Sequence, residues 1–167
     1  LKVTYIDRSG RFKDVTKFAF IIESLDQLND RLNTVRIETK NIRDIRTDLK
    51  VLSEGYLFQY LIGNTDWSIP ALHNVYILKS KDPTKFKPYV IPYDFDYAGI
   101  VNANYAIPDE NLGISNVRER IYRGVCITTL TLENARKKFL EGKESILNLY
   151  ENDIYLSKYN KNTTVRY

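Results

Sequence analysis

The hydrophobic and polar positions alternate with two different periods along this chain, and each period predicts its own elements. Val3 to Ile6 and Phe18 to Ile22 are β-prone apolar runs separated by the turn-forming stretch Asp7-Arg8-Ser9-Gly10, which predicts an antiparallel hairpin. The second run is apolar at every position, so a strand covered on both faces is expected there. Ser24 with Gln27 forms a capping box, and Leu25, Leu28 and Leu32 share one face of the short helix that it opens, ending at Asn33-Thr34. Residues 36–48 are polar without periodicity and predict no element. Thr47-Asp48 caps a longer helix in which Leu49, Leu52, Tyr56 and Tyr60 recur on one face, with Gly63 as its C-terminal stop.

A polar loop, Asn64 to Asn74, leads to two short strands, Val75 to Leu78 and Tyr89 to Tyr93, joined by a Lys-rich turn. From residue 94 to about Ser115 the chain reads as irregular, a length that usually signals function or mobility in a compact domain. Three helical patterns follow: Val117 to Tyr122, one marked by Leu132, Ala135 and Phe139, and one marked by Ile146, Leu147 and Tyr150. Residues 158–167 are polar and expected to fray. The elements add up to an α+β fold, an N-terminal β-hairpin followed by a mostly helical body with a small second hairpin.

Composition narrows the function classes. The 167 residues are 43% hydrophobic and 28% charged, an ordinary globular mixture with no apolar run long enough to span a bilayer. The net charge of +4 is spread through both signs rather than gathered on one face, which argues against nucleic acid as a partner. One Cys, Cys126, and one His exclude a disulfide framework and make a structural zinc site implausible; Cys126 reads as core. Methionine is absent even at position 1, and the chain opens inside an apparent strand, so a segment of a longer protein is expected. Most of the 13 tyrosines fall at core-periodic positions.

The stretch that could carry chemistry runs from Tyr60 to Asp96. An apolar helix delivers the loop Gly63-Asn64-Thr65-Asp66; Asn74 follows Asp66 by eight residues, directly before a strand, and the paired strand ends in Asp94-Phe95-Asp96. A helix, a loop bearing Asp and Asn, a hairpin and a strand-end Asp is the order used for phosphoryl transfer in kinase-like folds. A hydroxyl nucleophile needs a carboxylate to orient it and take its proton, a role that suits Asp66. Magnesium takes hard oxygen ligands, which Asn74 and Asp94 could supply together. Bland readings compete at each position: Asp66 as a turn aspartate, Asp94 as a strand-end carboxylate, His73 as a structural histidine, Trp67 as a packing anchor, and Arg118, Arg120 and Arg123 as a solvated helix face. A Ser68–His73–Asp66 triad is poorly supported, because three members within eight residues rarely reach the required geometry.

The segment 58–99 resembles atypical protein kinases, in particular the CotH-type spore-coat kinases and the secreted casein-kinase-like family, which carry an "N-x-D" catalytic loop and a "D-x-D" or similar metal motif. The chain as a whole is similar to an exported bacterial family with the pattern Phe-Gln-Tyr-Leu-Ile-Gly-Asn-Thr-Asp-Trp-Ser, then His-Asn, then Pro-Tyr-Asp-Phe-Asp. The resemblance implies that residues 1–23 are the last small-lobe hairpin and hinge, and residues 24–167 the large lobe. It implies Asp66 as catalytic base, Asn74 and Asp94 as magnesium ligands, Asp96 as a further metal contact, and backbone at Ile22, Glu23 and Ser24 against the base of ATP. The expected activity is ATP- and magnesium-dependent transfer to a hydroxyl, with a protein among the possible acceptors, in an extracytoplasmic or cell-surface setting. The chain departs from the kinase pattern in having no glycine-rich phosphate loop, no strand Lys paired with a helix Glu, and no Arg before Asp66. The alternatives are a metal-dependent glycosyltransferase using Asp94-Phe95-Asp96, or a non-catalytic kinase-shaped domain.

Overall fold

The computed structural model describes residues 1–125 and 127–167, so Cys126 lies outside the described residues. The fold is α+β, with five α-helices and two small antiparallel sheets among the described residues. Strands β1 (Lys2–Tyr5) and β2 (Val15–Phe18) form the first sheet, with Lys2 opposite Phe18 and Tyr5 opposite Val15. Helix α1 spans Leu25–Leu32, β3 Thr34–Ile37 and α2 Leu49–Ile62. Strands β4 (Val75–Ser80) and β5 (Tyr89–Pro92) complete a second sheet of order β3-β4-β5. Helices α3 (Thr129–Glu141), α4 (Lys143–Asn152) and α5 (Lys158–Val165) follow.

Local chemistry explains the helix boundaries. Ser24 accepts from the Gln27 amide while Gln27 reaches back to the Ser24 amide, the reciprocal box expected at the start of α1. Asp48 accepts from the amides of Lys50 and Val51 and starts α2. Gly63, at φ 66°, ends it: the Asn64 amide donates to Gln59 O and the Gly63 amide to Tyr60 O, closing orphan carbonyls of the last turn.

The core sits between α2 and the second sheet. Leu52 and Tyr56 of α2 meet Trp67, Ile69, Val75, Ile77 and Val90 in one buried cluster. Trp67 is thus the packing anchor expected of it, its ring 5.5 Å from that of Tyr56. Tyr56 donates its hydroxyl to Asp44, and burial first, then that carboxylate, push the phenol far above its ordinary range. Leu78 is fully buried as well, so β4 is covered on both of its faces near its end. No helix among the described residues is long and apolar enough to cross a membrane.

Several expectations are corrected. The strand predicted at Phe18 to Ile22 lies earlier, at Val15–Phe18, because the turn at residues 7–12 sets the register. The apolar residues beyond it are uncovered rather than enclosed, with Phe20 and Ile21 84% and 82% exposed. Thr34–Ile37, within a stretch with little periodicity, is a strand held by pairing with β4. The segment 117–122 forms a turn rather than a helix, although Val117 is buried. Residues 158–165 are helical, capped by Ser157 accepting from the Asn160 amide. The tyrosines are mostly not core: Tyr5, Tyr60, Tyr105, Tyr155 and Tyr159 are exposed.

The hairpin turn carries a pH-sensitive latch. Asp7 accepts from the Ser9 hydroxyl and from the amides of Ser9, Phe12 and Arg11, which hold its carboxyl at about 2. A carboxyl depressed in the folded state contributes ordering above its unfolded value, and that ordering is lost as pH falls through the folded one. The Asp7 carboxyl carbon should therefore titrate with a midpoint near 2 by NMR, and the Ser9 and Phe12 amide shifts should move with it. A midpoint at the ordinary aspartate value contradicts the latch.

Candidate functional site

The site is built around the end of α2. Beyond Gly63, every polar group of Asn64 has a partner, and the residue is 2% exposed. Its amide donates to Gln59 O at 2.8 Å and its carbonyl accepts the Trp67 indole N–H at 3.2 Å. Its Oδ1 accepts the Asp66 amide at 3.0 Å, and its Nδ2 donates to Asp94 O at 3.3 Å. One side chain therefore ties the Asp66 loop to the strand-end segment that carries Asp94.

The Asp66 carboxylate is oriented on both oxygens. His73 Nε2 lies 2.8 Å from Oδ1; with Asp66 ionised, that nitrogen carries the proton and donates it. Asn74 Nδ2 donates to Oδ2 at 2.9 Å and to the Asp66 carbonyl at 2.8 Å. Asn74 is placed for this by a left-handed backbone, φ 53°, a conformation asparagine tolerates better than most residues. Behind it, a backbone bridge between Ser68 and His73 closes the loop. Asp66 and His73 are 35% and 54% exposed, so the pair opens to solvent at the edge of a cleft of about 260 Å³. Ser68, Tyr97, Pro108, Asp109, Val117 and Arg123 also line it. Asp109 is held below its ordinary range by the Asn111 amides, with a smaller pull from Arg123.

Asn74 directly precedes β4, and Asp94 lies two residues past the end of β5. Val75 pairs with Pro92, and the Tyr93 amide donates to Asn74 O, so the Asp94 backbone follows just beyond the ladder; neither Asn74 nor Asp94 lines the cleft that holds Asp66 and His73. With its Nδ2 on Asp66, Asn74 keeps its Oδ1 without a hydrogen-bond partner among the described residues. Asp94 accepts the Asp96 amide at 3.3 Å. Asp96 Oδ2 accepts the Tyr105 hydroxyl at 3.1 Å, and this bond is the first cause of a raised Tyr105 phenol, to which the Asp94 charge adds a smaller push. Among the described residues no three His, Cys, Asp or Glu side chains cluster as a ready metal cage.

Ile22, Glu23 and Ser24 are not brought to this cleft. Glu23 holds Arg31 through two hydrogen bonds of 2.8 and 2.6 Å, and the Ser24 amide is engaged in the α1 capping box. Backbone groups of Ile22 and Glu23 have no partner among the described residues. The triad is not assembled: Ser68 Oγ accepts the Ala71 amide and makes no bond to His73.

The three arginines are anchors, not a solvated helix face. Arg120 donates to Leu61 O at 3.0 Å and to Tyr167 O, and Arg118 to Gly99 O at 3.4 Å. Both guanidinium groups lie against the Tyr167 ring, that of Arg118 4.4 Å and that of Arg120 3.8 Å from its centroid. The Tyr167 hydroxyl enters where Gly63 and Gly99 meet; a Cβ at either would stand 1.8 or 2.3 Å from its oxygen. Gly99 and Ile100 donate to Gly63 O and Ile62 O, so the segment after β5 is laced to the end of α2.

The structure joins Asn74 to Asp66 directly and ties the Asp94 backbone to the Asp66 loop through Asn64. Sequence reasoning passed over Asn64, set His73 aside and misread the arginines. The His-Asn pair before β4 was a usable signal for His73; nothing local marks the arginines.

Two substitutions test this framework. Asn64→Ala strands the part-buried Asp66 amide and Asp94 carbonyl, and should cost about 2 kcal/mol in denaturant unfolding, the low end of the roughly 1–3 kcal/mol for each orphaned group because both retain some access to water. The Tyr167 hydroxyl is buried without a partner among the described residues, so Tyr167→Phe should leave the melting temperature unchanged or raise it by roughly 2–4 °C. A fall on Tyr167→Phe contradicts the unpaired hydroxyl. No family model, no curated protein and no solved structure matches this chain, so the geometry at Asp66, Asn74 and Asp94 carries the functional reading.

Proposed function

We propose that this chain carries the catalytic loop of a kinase-like phosphotransferase that uses ATP and magnesium to phosphorylate a hydroxyl. One observation carries the reading: the Asn74 amide fixes Asp66 through two hydrogen bonds while its own Oδ1 stays uncommitted, one residue before β4, with Asp94 two residues past the end of its partner strand β5. A carboxylate steadied by side-chain donors on both oxygens at the mouth of a cleft is suited to receive an acceptor hydroxyl, and its remaining lone pairs can take the hydroxyl hydrogen bond.

Asp66 orients the acceptor and takes its proton at a carboxylate oxygen. His73 and Asn74 keep that carboxylate from rotating, which matters because phosphoryl transfer relies on alignment more than on covalent help. Asn74 Oδ1 and Asp94 would hold magnesium; they are hard oxygen donors, and this ion draws its other ligands from phosphates and water, so a three-carboxylate cage is not required. When bound, magnesium neutralises charge on the transferred group. Nothing favours the glycosyltransferase reading: both sheets are antiparallel, and the described residues hold no parallel βαβ unit.

In the full-length protein, magnesium with ATP should raise the melting temperature, and Asp94→Ala should abolish the shift. Asp66→Asn should keep the shift and lower phosphoryl transfer roughly 10²–10⁴-fold, the usual contribution of a positioned base. No thermal response to nucleotide in the wild-type protein rules the proposal out; a response without turnover identifies a non-catalytic nucleotide-binding domain.

A further inference from the structure

We propose that Arg123 is a positioning residue that holds the Asp66 loop in its working conformation from across the cleft; this rests on the reading of Asp66 as the base. Residues 64–74 join α2 to β4 with little regular structure, and carbonyls in such a loop need partners from elsewhere. The two carbonyls that flank Asp66, those of Thr65 and Trp67, both accept from Arg123 Nη1, the second at 3.1 Å. The guanidinium lies 5.8 Å from the centroid of the Trp67 ring and lines the cleft with Asp66 and His73.

The three arginines divide their work. Arg118 and Arg120 reach Gly99 O, Leu61 O and Tyr167, all away from Asp66. Arg123 alone of the three grips the residues on either side of it. With the Asp66 amide on Asn64, its carbonyl on Asn74 and its carboxylate on His73 and Asn74, the peptide groups before and after Asp66 are both fixed, and Arg123 adds a hold on the first of them and on the next peptide along. One cation bonded to both neighbouring carbonyls limits rotation about the Asp66 backbone, and so limits where the carboxylate can point. Fifty-odd residues of chain separate the two ends of this contact, so it forms only in the folded protein.

The test uses full-length protein and two readouts. Trp67 is the chain's single tryptophan, so its indole N–H gives one NMR cross-peak. Arg123→Gln should speed hydrogen exchange at the Trp67 indole and the Asp66 amide roughly tenfold, with amides of Leu52 and Tyr56 in α2 within about twofold of wild type. Phosphate release from magnesium ATP should fall roughly tenfold in kcat with KM unchanged, and Arg123→Lys, which can still reach one carbonyl, should lie between. Unchanged exchange at both groups in folded Arg123→Gln overturns the proposal. So does an equal loss of protection throughout α2, which marks a purely structural role. If Arg123→Gln does not fold, Arg123→Lys decides: faster exchange confined to residues 64–68 supports the proposal, and wild-type exchange there overturns it. Absence of phosphate release in the wild type counts against the phosphotransferase reading, whereas the exchange data judge Arg123 by themselves.

Discussion

The site depends on how Asn64 is bonded. A buried amide presents a side-chain oxygen, an NH₂ group and two backbone groups, and leaving any of these groups without a partner in a dry environment is costly. Here the acceptor meets Asp66, the Nδ2 group meets Asp94, and the backbone groups meet the last turn of α2 and the Trp67 indole. The geometry of a helix end is thereby transmitted to two acidic residues almost thirty positions apart. Because Trp67 also belongs to the core cluster, disturbing the core and disturbing the loop are one event.

Around that residue the chain is clamped from outside. The Tyr167 ring lies between two guanidinium groups and presses its hydroxyl into the place where Gly63 and Gly99 approach each other. Cation–π contacts of this kind contribute roughly 0.5–2 kcal/mol each, depending on how much water they exclude. Their larger effect is geometric. Gly63 must be glycine both for its left-handed backbone and for the space the ring occupies, so helix termination and the docking of residue 167 are set by the same atom-sized gap.

What could be read from the sequence was what is local. The capping box at Ser24, the cap at Asp48 and the stop at Gly63 are each decided within a few residues, and all three stand. The β4–β5 hairpin was legible too, and its register returns the chain to the level of Asn74; the bonds from Asn74 to Asp66 lie outside that register. The misplacement of β2 shows the limit: an apolar run looks like a strand, but pairing partners and the Asp7 turn decided which four residues were used. Strand β3 gives only four residues to a pattern, Thr34-Val35-Arg36-Ile37, and exists because β4 lies beside it. Arg118, Arg120 and Arg123 were illegible for the opposite reason. Their partners are backbone carbonyls far along the chain, which leave no trace in composition or spacing.

The first hairpin has a practical consequence. Each of its strands pairs on one side only, and the greasy side chains that follow β2 face water. Open ladder edges of this type template cross-molecule pairing, and cationic side chains at Lys2 and Lys17 are the kind of gatekeeper that resists it. Solutions of this chain should therefore grow stickier as added salt screens those charges, a behaviour set by its first twenty residues rather than by the chemistry of its cleft.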